Sequence, residues 1–286
     1  MSDEIEKIHL MTKIISRLEV GASKIRGYRN SIVGGFRFKL APESSYFDYN
    51  LDSGVKLTGS HFVRWADMVQ MQIYIKTLSN LKNPVVVDVG AHHGLYVLLA
   101  GAFCKQVKQG RVLAFEPVTE NYDILLKNIA LNNLEEWVTP IKKAVGEFCE
   151  TVRISRSGSQ SQLRVHDLIN TEIVRQVDLK SGLPEEIKHI DILMIDVEGA
   201  ELPVLKGFPW ERTEVSNIFC EFHPYAWKDF SYTATDMSDF MSAHGLQAID
   251  MFQQDQTECR SEHYVGPTLF RKIKPKNENG TFDKIC

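Results

Sequence analysis

Residues 85–99 read VVVDVGAHHGLYVLL, and this stretch constrains the fold more than any other. Val85 to Val89 is β-branched apart from Asp88, and Pro84 marks where the run begins. So short and nearly continuous an apolar run suits a strand buried on both faces, as in a parallel sheet. From Leu95 the apolar residues take helical spacing (Leu95, Leu98, Leu99, Ala102, Phe103) and stop near Gly110. Between the two elements, Gly90 and Gly94 bracket Ala91, His92 and His93. A strand, a tight glycine turn and a helix let a ligand approach the backbone and the positive end of the helix. The same pattern also serves as a plain structural turn.

Two familiar ligands of such turns do not fit. A dinucleotide fold needs a middle glycine where its pyrophosphate meets the backbone, and position 92 is His. A P-loop would end in Gly-Lys-Ser/Thr, which is missing here. The next strand, RVLAFEP (Arg111 to Pro117), ends in Glu116, with a proline behind it favouring extended backbone. In a β-α-β unit an acid at that place accepts hydrogen bonds from ribose hydroxyls; otherwise it is a solvated strand end. Asp88, Glu116 and the missing phosphate glycine together describe a site for a nucleoside without a pyrophosphate. S-adenosylmethionine is the commonest such ligand.

From Pro84 onwards, strands alternate with helices. Strands are expected at 85–90, 111–116, 138–145, 191–196 and 216–222, and helices near 94–105, 119–132, 199–206 and 235–244. This alternation predicts an α/β fold with a doubly wound, mostly parallel sheet. Two final extended segments, LQAIDMF and HYVGPTLFRK, have no helix between them and predict an antiparallel hairpin at one edge. Between about 151 and 190 the pattern loosens into strands or loops capping the sheet. Upstream, SHFVRWADMVQMQIYIKTL starts with a Ser60 cap and sets Phe62, Trp65, Met68, Met71, Ile75 and Leu78 on one helical face. That helix either packs across the sheet or closes over the cofactor. Ile5, Ile8, Met11, Ile14, Ile15 and Leu18 form an amphipathic N-terminal helix suited to packing, dimerisation or membrane contact, in that order. The organisation expected is an N-terminal helical and extended segment (1–80), a catalytic domain (81–275) and a C-terminal tail (276–286).

Composition narrows the function classes. With 286 residues, 43% of them hydrophobic, the chain can bury a sizeable core. A formal net charge of −4 argues against nucleic acid, whose partners carry basic patches. Charges scattered through the first twenty residues argue against a signal peptide or a membrane span. The five cysteines (Cys104, Cys149, Cys220, Cys259, Cys286) lack metal-ligand spacing, and their odd number suits reduced thiols in a cytoplasm. Neither nucleic acid nor membrane is expected as a partner; a homo-oligomer is compatible with the sequence.

A second constellation lies in IDILMIDVEGAELPVLKGF, residues 190–208. The run from Ile192 to Ile195 delivers Asp196 to the carboxyl edge of the sheet, where ligands bind in such folds. Gly199 permits the turn, and Glu198 and Glu201 fall in or near the first turn of the next helix, where negative charge complements the dipole. A carboxylate ending a central apolar strand needs a partner if it is buried. Taken together, VVVDVGAHHGLY, AFEP, KAVGE, LMIDVEGAELPVLKG and the later FCEFHP resemble the FkbM family of S-adenosylmethionine-dependent methyltransferases, over roughly residues 84–252. The resemblance implies a Rossmann-like class I methyltransferase fold. It also implies a cofactor site in which Asp88, Gly90, Ala91, His92 and Gly94 line the methionine end and Glu116 with Pro117 holds the ribose. Ala144 would then sit by the adenine, and Asp196 near the amino group or the transferring methyl. The sequence departs from the family at Met194, usually Lys, at His92, often Asn, and at His93, commonly a small or aliphatic residue.

Methyl transfer from a sulfonium is an in-line displacement, so the protein must align donor and acceptor and, for a hydroxyl, remove its proton. Candidate catalytic residues are Asp196, His223, Glu221 and His93, with His223 the leading base. Asp196, Glu221 and His223 could also gather magnesium, but nothing in their spacing demands a metal and none is expected. The expected activity is O-methylation of a hydroxyl on a small molecule, a sugar or secondary metabolite. The alternatives are a nicotinamide-dependent oxidoreductase and a non-catalytic cofactor-binding protein on the same fold.

Overall fold

The computed structural model describes residues 23–44, 49–50, 55–56, 65–155, 171–249, 255–256 and 266–272. Five strands form the parallel centre of the main sheet: β3 (Val85–Val89), β4 (Arg111–Phe115), β5 (Val138–Ile141), β9 (His189–Ile195) and β10 (Glu214–Phe222). Across the sheet they run β5, β4, β3, β9, β10, all in parallel register. The expected antiparallel hairpin is present, but its last strand lies inside the sheet. Strand β13 (Gly266–Lys272) inserts antiparallel between β10 and β11 (Leu246–Ile249), and the two-residue β12 (Asp255–Gln256) ends that side.

The strands are apolar on both faces because both faces are covered. Val86, Val112, Ala114, Ile192, Met194 and Phe219 pack under α1 (Trp65–Ser79), α2 (Leu95–Val107) and α3 (Thr119–Leu131). Their neighbours Val87, Val89, Leu113, Phe115, Leu193, Ile195 and Cys220 face the other layer. That layer is built from α4 (Leu179–Gly182), α5 (Glu201–Lys206), α6 (Pro224–Trp227) and α7 (Ala234–Ala243). The described part of α1 packs on the sheet, with Tyr74 fully buried edge-on against Phe219 at 5.5 Å. Phe62 lies outside the described residues, as do the Ser60 cap, the side chains of Trp65 and Met68, and the N-terminal amphipathic stretch.

One expectation needs correction. The single strand at 138–145 is two: β5 ends at Ile141, and β6 (Ala144–Val145) starts a separate sheet. There β6 pairs in parallel with β8 (Thr171–Val177), which pairs antiparallel with β7 (Glu150–Ser155). Pro140 in β5 has no amide hydrogen to continue the ladder, and Lys143 turns back to donate to the Ile141 carbonyl at 2.9 Å. The upstream segment, expected to be helical and extended, contains a hairpin of β1 (Arg29–Val33) and β2 (Phe36–Leu40) whose Val33, Phe38 and Leu40 join the core under α2 and α3. Asn128 and Asn132 of α3 hold the hairpin by accepting from the Ala41 and Lys39 amides at 2.6 and 2.9 Å.

The carboxyl ends of β3, β4, β9 and β10 share one rim. They bring the glycine turn, Glu116, Asp196 and the Glu221–His223 segment to the same edge. The tightest approach is at Gly90, φ +90°, where a Cβ would stand 1.8 Å from the backbone oxygen of Asp196. Gly90→Ala is therefore expected to cost about 3 kcal/mol or more from strain and overlap together. Thermal unfolding reads this as a large drop in Tm; a change of a degree or two would show that the two loops are not in contact.

Candidate active site

The glycine turn is folded by its own backbone before any ligand is considered. The Phe115 carbonyl accepts from both the Gly90 and Ala91 amides, at 3.0 and 2.9 Å, and Gly94 donates to the Ala91 carbonyl at 2.8 Å. Gly90, His92 and Gly94 all take positive φ, which glycine adopts freely and His92 only at some strain. Glu116, 4% exposed, compensates for it: its Oε2 accepts from the His92 amide at 2.8 Å and its Oε1 from the Val118 amide at 2.9 Å. Glu116 is thus a clamp between the glycine turn and the start of α3, a role invisible in the sequence. A carboxylate oxygen has a second lone pair, so the clamp leaves room for ribose hydroxyls. Pro117 is half-buried beside it, while Ala91 and Ala144 are buried.

The charges of this half of the site are suppressed. Burial and then the Glu116 charge raise Asp88 to about 7, and burial raises Glu116 to about 7 against the pull of its amide donors. His92 and His93 stack at 3.8 Å, and burial lowers them to about 3 and about 4. His93 sits against Val33, Phe38, Leu40, Leu95 and Leu98, under the N-terminal hairpin. The candidate base His93 is therefore held neutral among apolar side chains, with Asn121 as a hydrogen-bond partner. Met194 lies beside Asp88 in the parallel register, and its Sδ receives the Gln70 amide at 3.7 Å. Where the family usually has Lys, Met194 supplies no cation to Asp88 and leaves the buried Gln70 Oε1 with no hydrogen-bond partner among the described residues.

The second constellation forms the other half. Asp196, Glu221 and His223 do come together, and Glu198 joins them. His223, 4% exposed, presents Nε2 to Glu198 Oε2 at 3.7 Å, Asp196 Oδ1 at 3.8 Å and Glu221 Oε1 at 3.9 Å. Its Nδ1 bonds Glu201 Oε1 at 2.8 Å. Glu201 stands in the first turn of α5, as expected, and is fully buried there. Its oxygens also take the Gly199 amide at 2.8 Å and the Trp227 Nε1–H at 2.7 Å, with the Tyr232 hydroxyl at 3.0 Å. Glu198, held at φ +52°, accepts from the Tyr225 hydroxyl. Burial would lower the pKa of His223, yet the Glu201 bond and the Asp196, Glu201 and Glu198 charges raise it to about 9. Asp196 is pushed well above its ordinary range, first by desolvation and then by Glu221, while His223 pulls it down.

Residues 88–247 match the model of the methyltransferase FkbM domain. The chain belongs to the FkbM methyltransferase family. A curated relative, methyltransferase sdnD of Sordaria araneosa, is 30% identical over 180 residues, spanning 50% of this chain and 68% of the relative. Among solved structures, a methyltransferase FkbM from Methylobacillus flagellatus is similar at 14% identity and a TM-score of 0.41, over 66% of this chain and 44% of that one. An S-adenosylmethionine-dependent O-methyltransferase from Thermotoga maritima is similar at 14% identity and a TM-score of 0.41, over 77% and 69%. The FkbM family implies S-adenosylmethionine as methyl donor. In this FkbM chain the Rossmann-like class I sheet expected from the sequence is present. Among the described residues no helix is long and apolar enough to cross a membrane, and Cys104, Cys149 and Cys220 are free thiols.

Sequence reasoning missed the residues that fix Glu201. Trp227 and Tyr232 lie just past FCEFHP in YAWKDFSY, and both carry a polar hydrogen on an apolar ring. Asking what partner a buried acid needs, as was asked for Asp196, would have pointed to them from Glu201.

The raised Asp88 gives a pH signature with a definite sign. The folded protein keeps this proton up to about pH 7, whereas the unfolded chain loses it near 4. Stability contributed by Asp88 therefore falls as pH rises from about 4 to 7, by at most about 1.4 kcal/mol per pH unit. His92 and His93 act oppositely below about pH 6.5, so the wild-type curve alone is ambiguous. Asp88→Asn isolates the effect: its Tm relative to wild type should climb between pH 5 and about pH 7 and level off above it. A constant difference would mean that Asp88 is ionised throughout.

Proposed function

We propose that this chain is an O-methyltransferase acting on a hydroxyl of a small molecule, with a sugar or a secondary metabolite as the acceptor class. The observation that carries the reading is the convergence of Asp196, Glu198, Glu221 and His223 at the rim beside the glycine turn. A hydroxyl must lose its proton as its oxygen attacks the methyl carbon and the carbon–sulfur electron pair returns to sulfur. A carboxylate-rich rim suits that task better than an apolar one. In the metal-free rim His223 is held as imidazolium, which has no lone pair to take a proton. The proton then falls to Asp196, whose side chain is about one-third open to solvent and whose raised pKa makes it a stronger base than an ordinary aspartate. His223 orders the rim. Asp88, Gly90, Ala91, His92, Gly94, Glu116, Pro117 and Ala144 take the cofactor side.

Two expectations follow, each with its measurement. Calorimetry should register S-adenosylhomocysteine binding and no NAD binding, because His92 stands where a dinucleotide fold needs glycine; binding of NAD alone would overturn the methyltransferase reading. With hydroxylated small molecules screened by release of S-adenosylhomocysteine, His223→Ala should lower turnover about 10²-fold by misplacing Asp196. Its affinity for S-adenosylhomocysteine should stay close to that of wild type. Full activity in this variant would take the rim out of the chemistry.

A further inference from the structure

We infer that Asp196, Glu198 and His223 form a binding site for one divalent transition-metal ion, with Glu221 alongside as a further ligand. The three residues each offer one ligand atom, and these atoms all lie within 4.8 Å of one another. The imidazole Nε2 stands 3.7 to 3.9 Å from carboxylate oxygens of Glu198, Asp196 and Glu221. Ligands about 2.2 Å from a common ion stand between roughly 3.1 Å apart when adjacent and 4.4 Å when opposite. The observed spacings reach that range with shifts of a few tenths of an ångström. They are too long for hydrogen bonds, so among the described residues Nε2 of this buried histidine is aimed into a ring of acids without a hydrogen bond to any of them.

A separate observation concerns what stands behind the ligands. Metal-binding histidines almost always give their other ring N–H to a carboxylate or carbonyl, which fixes the tautomer and the ring plane. Here the other nitrogen, Nδ1, bonds Glu201 at 2.8 Å, and Glu201 is itself fully buried among the Gly199 amide, the Trp227 ring and the Tyr232 hydroxyl. The ligand Glu198 is likewise oriented by the Tyr225 hydroxyl. One imidazole among carboxylates favours manganese or ferrous iron over magnesium, which prefers oxygen alone.

The ion's place beside the glycine turn gives it a use. If the methyl-transfer reading holds, the ion would bind the acceptor oxygen and lower its pKa, so that its proton could pass to solvent water. The site itself stands on ligand geometry and does not depend on that reading.

The test uses the full chain stripped with a chelator and titrated with Mn²⁺, followed by loss of the free-ion electron paramagnetic resonance signal. One Mn²⁺ per chain is expected. Asp196→Asn and Glu198→Gln should each weaken binding at least tenfold, and Glu201→Gln should weaken it about 10–100-fold by releasing the ring. Circular dichroism confirms the fold of each variant; if Glu201→Gln does not fold, the two ligand variants decide. No uptake by wild type, or uptake unchanged in both ligand variants, overturns the site. S-adenosylhomocysteine calorimetry on the same samples separates the two ideas. Cofactor bound without Mn²⁺ removes only the metal site, and Mn²⁺ bound without cofactor removes only the methyltransferase reading.

Discussion

The buried carboxylate of Glu201 is the constraint on which the rim depends. A fully buried charge is tolerated only when donors surround it, and Glu201 draws them from three places. They are the Gly199 amide of its own turn, the ring of His223 at the end of β10, and the Trp227 and Tyr232 hydrogens beyond it. It therefore ties the loop after β9 to the segment after β10. Removing one partner of a buried ionic pair typically costs about 3–5 kcal/mol, because the other charge is left stranded. The position of the His223 ring, and with it the face turned to Asp196, Glu198 and Glu221, follows from this single group.

The two halves of the site solve the problem of buried charge in opposite ways. Around the glycine turn burial wins: His92 and His93 are pushed to the neutral form, and Asp88 and Glu116 are raised to about 7. Around His223 the carboxylates win: Glu201, Asp196 and Glu198 hold the imidazole charged against the pull of burial. The division matches the tasks. A turn that is rigid before binding suits a nucleoside, while a rim of concentrated charge suits the handling of a proton or a cation.

Much of this was legible in the sequence, for physical reasons that also mark the limits. Strands β3, β4 and β9 were readable because each is an apolar run closed by an acid or a glycine, and both faces of a parallel sheet must be covered. Asp196, Glu221 and His223 were expected at one rim because strand ends of such a sheet share an edge. The break at Ile141 was not read, because Ile141 to Val145 is apolar enough to continue a strand and only the preceding proline hints otherwise. Nor was the β1–β2 hairpin, although Gly34-Gly35 stands between Ile32-Val33 and the alternating Phe36, Phe38 and Leu40. The clamp of Glu116 and the anchoring of Glu201 are long-range facts: their partners are set by how loops fold back, which no local pattern encodes. His93 was grouped with the bases because it adjoins the turn, but its side chain faces the hairpin that was missed.

The account stands on Glu201 fixing the His223 ring, and nitrogen NMR of histidine-labelled, chelator-treated protein tests this most directly. At neutral pH His223 should show a protonated Nδ1 with a downfield proton shift from its bond to a carboxylate, and Glu201→Gln should abolish that signature while the fold persists. A His223 ring exchanging between tautomers in wild type, or a spectrum unchanged by Glu201→Gln, would contradict it.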